Sequence, residues 1–111
     1  ITGAYVALHQ ALQMLVNNGV LTKLPLLCPI AAISVGILKG QLLLDLCYEE
    51  DFSADVDFNV VLTAQGGLVE LQGATEAQPF PRQQVEEVLS LASRGIEPLF
   101  RIQREAALGF Q

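Results

Sequence analysis

Leu43-Leu44-Asp45-Leu46-Cys47-Tyr48-Glu49-Glu50-Asp51-Phe52-Ser53-Ala54-Asp55-Val56-Asp57-Phe58-Asn59-Val60-Val61 is the stretch on which the fold turns. It holds Asp45, Glu49, Glu50, Asp51, Asp55 and Asp57, half of the chain's twelve acidic residues. Apolar, strand-like runs flank the acids on both sides, which places the carboxylates at the end of a sheet. Crowding them raises repulsion unless a cation, a shared proton or a partner's Arg and Lys relieves it. A solvated acidic loop between two strands is the other reading of the same run.

Outward from this stretch the chain reads as helix, sheet, helix. Residues 30–38 are rich in β-branched and small side chains and predict a buried strand, with Pro29 opening it. Lys39-Gly40 makes a tight two-residue hairpin. The return strand, 41–47, puts Leu42, Leu44 and Leu46 on one face and Leu43 with Asp45 on the other. A third strand over 57–64 follows the acidic turn, with Val56, Phe58 and Val60 on one face and Asp55, Asp57 and Asn59 on the other. Gln65-Gly66-Gly67 then turns the chain into a fourth strand, 68–72, completing an antiparallel meander. Before the sheet, Thr2 caps a helix to about Asn18, with Tyr5, Leu8, Leu12, Leu15 and Val16 on one face and His9 off it. After the sheet, a helix begins near Arg82 and turns Val85, Val88, Leu89 and Ala92 inward, with Glu86 and Glu87 outward. Gly95 and Pro98 interrupt or kink it, and Ile96, Leu99, Ile102 and Ala106 carry a second stripe to Leu108. The expected fold class is α/β of the α+β kind. Both helices pack on one face of a four-stranded antiparallel sheet, over a floor of Leu42, Leu44 and Leu46.

At 111 residues one domain is expected, yet 51% of the residues are hydrophobic and only 16% charged. So small a domain cannot bury that much apolar surface alone, so a partner face or a further portion of the same fold is expected. The chain opens at Ile1 and its only Met is Met14, so a piece of a longer chain is expected. The longest apolar run, 28–38, is broken by Pro29, Ser34 and Gly36 and falls well short of the ~18 residues of a membrane span. With no signal-type N-terminus, no membrane is expected. Cys28 and Cys47 have no CxxC spacing and predict two reduced, packed thiols in a cytoplasmic protein. A net charge of −6 argues against this chain gripping a phosphate backbone unaided. There is no Ser-His-Asp or Cys-His pairing, no P-loop, and Gly66-Gly67 is a hairpin turn. That leaves Asp51 and Asp57, six residues apart across a turn, which converge if the chain reverses into the third strand. Two carboxylates plus waters is how Mg²⁺ or Mn²⁺ is commonly held beside a phosphorylated substrate.

The residues then resemble a known family. Ile1-Thr2-Gly3-Ala4-Tyr5-Val6-Ala7-Leu8 is similar to the start of the helix after the phosphate-binding Gly-Thr-Arg turn of ribonuclease PH. The similarity continues through Ala31-Ala32-Ile33-Ser34-Val35-Gly36-Ile37, Tyr48-Glu49-Glu50-Asp51, Ala54-Asp55-Val56-Asp57-Phe58-Asn59-Val60-Val61 and Val69-Glu70-Leu71-Gln72-Gly73 to Gln103-Arg104-Glu105-Ala106-Ala107-Leu108. It covers essentially the whole chain. Pro81 stands where the family often has a Ser or Thr cap, and the order of small residues after Gln72 differs. The resemblance implies a ribosomal protein S5 domain 2-like fold, of which residues 1–111 are the C-terminal portion, the N-terminal half being absent. It implies phosphate-dependent 3′→5′ trimming of tRNA precursor 3′ ends, with inorganic phosphate as co-substrate and nucleoside diphosphates as products. It also implies a homo-hexameric ring, RNA as partner, and Asp51 and Asp57 as the catalytic carboxylates that hold Mg²⁺ or Mn²⁺. Which of the two protonates the departing 3′ oxygen stays open. The Gly-Thr-Arg turn would lie just before Ile1, with other substrate-binding arginines further upstream. Two rivals are a non-catalytic ring subunit of an exosome-like assembly and a hydrolytic metal nuclease.

Overall fold

The computed structural model describes residues 1–109. In chain order the elements are α1 (Thr2–Asn17), β1 (Ile30–Leu38), β2 (Gln41–Leu44), α2 (Tyr48–Ser53), β3 (Val56–Thr63), β4 (Leu68–Thr75) and α3 (Arg82–Leu108). The strands form one antiparallel sheet in the order β2-β1-β3-β4, with both long helices over one face. The expected meander is therefore corrected, because β3 pairs with β1 and leaves β2 as an edge. β2 is only four residues long and pairs only with residues 35–38 of β1. β1 offers nine residues, and β3 matches it from Ile30↔Thr63 to Ile37↔Val56.

The core lies between this sheet and α3. Ala31, Val35 and Ile37 of β1 and Val56, Phe58, Val60 and Leu62 of β3 face Val88, Ala92 and Ile96 of α3, all buried. Period-two alternation on the strands and a spacing of four on the helix bring these sets together. Gly95 allows the approach. A β-carbon there would stand 2.6 Å from a methyl of Leu44 and 2.8 Å from one of Ile33. The helix runs unbroken through Gly95 and Pro98, where an interruption or kink was expected. Its second stripe is Ile96, Leu99, Gln103 and Ala107, a 3-4-4 spacing that leaves Ile102 about half exposed, against expectation. Gln103 is buried because its amide Nε2 donates to the Ile30 carbonyl at 3.0 Å, on a stretch of β1 that β2 does not reach.

α1 packs mainly on α3. Ile1, not Thr2, occupies its N-cap position. Its packed side carries Tyr5, His9, Leu12 and Val16, whereas Leu8 and Leu15 face outward. His9 thus belongs to the packed face, its ring 6.1 Å from that of Tyr5. Lys39 and Gly40 both have positive φ, 52° and 78°, as a tight hairpin requires. β2 stops at Leu44 rather than 47, and β4 extends to Thr75 rather than 72. Phe58 meets Phe80 edge-on at 5.1 Å, closing the far end of the core.

Candidate active site

The acidic stretch is reshaped by a single residue. Asp45 adopts φ 59°, so the chain leaves the sheet after Leu44 instead of continuing as a strand. Ser34 secures the departure: its carbonyl accepts from Asp45 N–H at 2.8 Å and its Oγ from Leu46 N–H at 3.0 Å. Leu46 then crosses to the sheet face away from the long helices, correcting its expected place beside Leu42 and Leu44. It lies against Gly36, where a β-carbon would stand 2.7 Å from a Leu46 methyl. Gly36 is the register partner of Asp57. The absence of a side chain at 36 lets Leu46, and α2 behind it, settle beside Asp57.

α2 replaces the expected acidic turn and divides the acids by task. Glu49, Glu50 and Asp51 occupy its first turn, where backbone N–H groups lack helical partners. The Glu50 carboxylate accepts from Cys47 N–H at 3.0 Å, and that bond, with the Cys47 side chain, holds Glu50 below the usual carboxylate range. The backbone at Glu50 favours the Cys47 thiolate, but the Glu50 and Glu49 carboxylates push the thiol up overall. Cys47 is exposed and free, and Cys28 half-buried and free, so only Cys28 is packed as expected. Asp55 ties strands through its backbone: its N–H donates to the Ile37 carbonyl at 2.9 Å, and its carbonyl accepts from Thr75 Oγ1 and Glu76 N–H, both at 3.2 Å.

Asp51 on α2 and Asp57 on β3 are brought to the same place. Both line a cavity of about 540 Å³ together with Phe52, Asp55, Asn59 and Glu76. Both also line an adjoining cavity of about 370 Å³ with Ser34, Leu46 and Tyr48. No other acidic residue borders both. Asp45 lies apart, in a third cavity with Ile1, Gly3 and Arg94. His9 and Gln103 line a fourth, which holds neither Asp51 nor Asp57, and among the described residues the buried Nδ1 of His9 has no hydrogen-bond partner.

The donor set is two carboxylates with the Asn59 amide nearby, hard oxygen ligands of the kind Mg²⁺ or Mn²⁺ accepts. Among the described residues no group of three or more His, Cys, Asp or Glu side chains is arranged to hold a metal ion. A divalent ion here would complete its shell with water and substrate oxygens, which suits Mg²⁺ in particular. Neither cavity is lined by a Lys or Arg. With Asp51, Asp55, Asp57 and Glu76 around the larger one, an anionic substrate needs positive charge from outside this chain's own lining. Sequence reading did not find Glu76 as a wall of this cavity. Its signal was available only through the long fourth strand, which carries it back to β3.

The chain belongs to the 3′ exoribonuclease family: residues 28–95 match the sequence model of that family's domain 2. Its relatives include Ribonuclease PH of Dehalococcoides mccartyi (strain CBDB1), 47% identical over 104 residues that cover 94% of this chain and 43% of the relative. Ribonuclease PH of Synechococcus sp. (strain CC9605) is 51% identical over 106 residues, covering 96% of this chain and 43% of the relative. The chain therefore spans less than half the length of the curated relatives it matches, and it aligns with their C-terminal part. In fold it resembles the crystal structure of rice (Oryza sativa) Rrp46, with a TM-score of 0.57, 20% identity, and coverage of 90% of this chain and 44% of that one. The ribosomal protein S5 domain 2-like expectation is thus met, in a four-stranded antiparallel sheet with helices on one face. No helix among the described residues is long and apolar enough to cross a membrane.

Proposed function

We propose that this chain is the C-terminal portion of a phosphate-dependent 3′→5′ exoribonuclease that trims RNA, tRNA precursor tails above all, and releases nucleoside diphosphates. One observation carries the reading: Asp51 and Asp57, delivered by different elements, are the two acids that border both adjoining cavities, in a chain belonging to the 3′ exoribonuclease family. In phosphorolysis an oxygen of inorganic phosphate attacks the terminal phosphodiester phosphorus, and the bond to the neighbouring 3′ oxygen breaks. The departing oxygen takes up a proton, which the carboxyl of residue 51 or 57 relays. Mg²⁺ or Mn²⁺ held by Asp51 and Asp57 would supply positive charge beside the crowded phosphates. The remaining positive charge belongs to the upstream segment, in keeping with the acidic lining of the larger cavity and the net charge of −6. On this reading the intact protein assembles as a homo-oligomeric ring, which would cover apolar surface left bare on this chain, and works in the cytoplasm.

The test supplies the full-length protein with a tRNA bearing extra 3′ nucleotides, phosphate and Mg²⁺. Nucleoside diphosphates are expected. Monophosphates formed without phosphate would replace this reading with hydrolysis, and no release at all would favour a non-catalytic ring subunit.

A further inference from the structure

Tyr48 and Phe52 stand one helical turn apart on α2, their ring centres 6.1 Å apart and their planes inclined by 26°. They are 76% and 79% exposed, and α2 has no buried residue, so packing within this chain does not account for them. Their placement is informative. Phe52 lines the larger cavity and Tyr48 the smaller one, each together with Asp51 and Asp57. The aromatic surface is therefore continuous with the carboxylate pair.

A single-stranded 3′ end presents unpaired bases alternating with phosphates, and an aromatic ring accepts the face of any base. We infer that Tyr48 and Phe52 form a stacking shelf for the last bases of a single-stranded RNA, seating its terminal phosphodiester against Asp51 and Asp57. The inference rests on the exoribonuclease reading above. The neighbours of the two rings favour RNA over a protein partner. Glu49, Asp51 and Asp55 surround them in the sequence, and the buried centres of protein interfaces are depleted in charge. Those same acids repel phosphate, so the shelf holds bases, and a divalent ion that Asp51 and Asp57 would hold would supply the positive charge for the phosphates. Stacking of this kind tolerates all four bases, so it suits an enzyme that removes nucleotides of any identity.

The test measures steady-state phosphorolysis of a single-stranded oligoribonucleotide by the full-length protein carrying Phe52→Ala or Tyr48→Ala. Either substitution is expected to raise KM about tenfold, with kcat within about twofold, and Phe52→Tyr to restore the wild-type KM. Abasic residues at the last two 3′ positions should raise the wild-type KM by a similar factor and add nothing in the variants. An unchanged KM in both alanine variants, or penalties that multiply with the abasic substrate, would overturn the shelf. So would dissociation of the oligomer by either substitution, measured by light scattering, since the rings would then be an interface. If the wild type releases no diphosphate, the phosphorolytic reading fails first and the shelf falls with it.

Discussion

Asp57 sits between two buried neighbours, Val56 and Phe58, yet is itself exposed, so its carboxylate can be changed without touching the core. Asp57→Asn keeps the shape and removes the charge. Turnover in the full-length protein should fall by about 10²–10⁴ with the melting temperature nearly unchanged, and Asp51→Asn should do the same. Asp55→Asn should be mild, because Asp55 ties the strands through backbone groups that asparagine keeps. Equal damage from Asp55→Asn would sink the assignment. Asp57 was legible because strand alternation separates it from the core by rule. Glu50 was not, since its task depends on a helix too short to show a period. Its folded carboxyl titrates below the ordinary value, so the cap is intact above that value and is lost as pH falls through the folded one. An NMR titration of the Cys47 amide should therefore show the bond breaking at a more acidic pH than a free glutamate would require. His9 was placed off the packed face, and the burial of Gln103 carried no sequence signal, for a common reason. A polar residue on a helix reads as surface until a partner such as the Ile30 carbonyl, or a neighbouring ring such as Tyr5, is in view.

At the scale of elements, the strands and long helices were legible from periodicity, and Val88 and Ala92 of the expected stripe face the core, while Val85 and Leu89 are only partly buried and Ile96 joins the same stripe through an unbroken helix. The sheet order was not legible. Neighbouring strands in sequence usually pair, but here α2 carries the chain past the four-residue β2 to the longer β1. The hinge of that path is Gly36 under Leu46. Gly36→Val would press Leu46 and α2 off the sheet, costing about 1–3 kcal/mol of stability and lowering turnover. Adding Leu46→Ala should recover much of the stability, which a double-mutant cycle in urea would measure. Leu44 tests the other face. It packs against the core beneath Gly95, so Leu44→Asp places a carboxylate where burial of the native side chain is worth about 2 kcal/mol. The variant should fail to fold, and a cooperative thermal transition near the wild type's would show that the wrong face had been put inside.

The molecule as a whole is long for its mass, with a radius of gyration of 16.9 Å against about 13 Å for a compact domain of this length. Leu8, Met14, Ile102 and Leu108 are half exposed or more, as are Leu68 and Val69 on the outer strand. The 111-residue chain alone should therefore self-associate, seen as a mass rising with concentration in sedimentation. It should also release no diphosphate from RNA, since its acidic cavity has no basic lining to position a phosphate. Release at a rate near that of the full-length protein would show the site to be complete within these residues. The pairing of β1 with β3 also governs time. β1 and β2 close through two residues, a microsecond event for a hairpin, whereas Ile30 must find Thr63 across a loop that includes β2 and α2. Loop closure over that distance costs entropy before any contact repays it, and Gln103 reaches back further still to Ile30. Pulse-labelled hydrogen exchange should protect the 30–44 hairpin before β3. The carboxylate pair is then among the last features of the chain to exist, and a refolding molecule holds its hairpin well before it holds its chemistry.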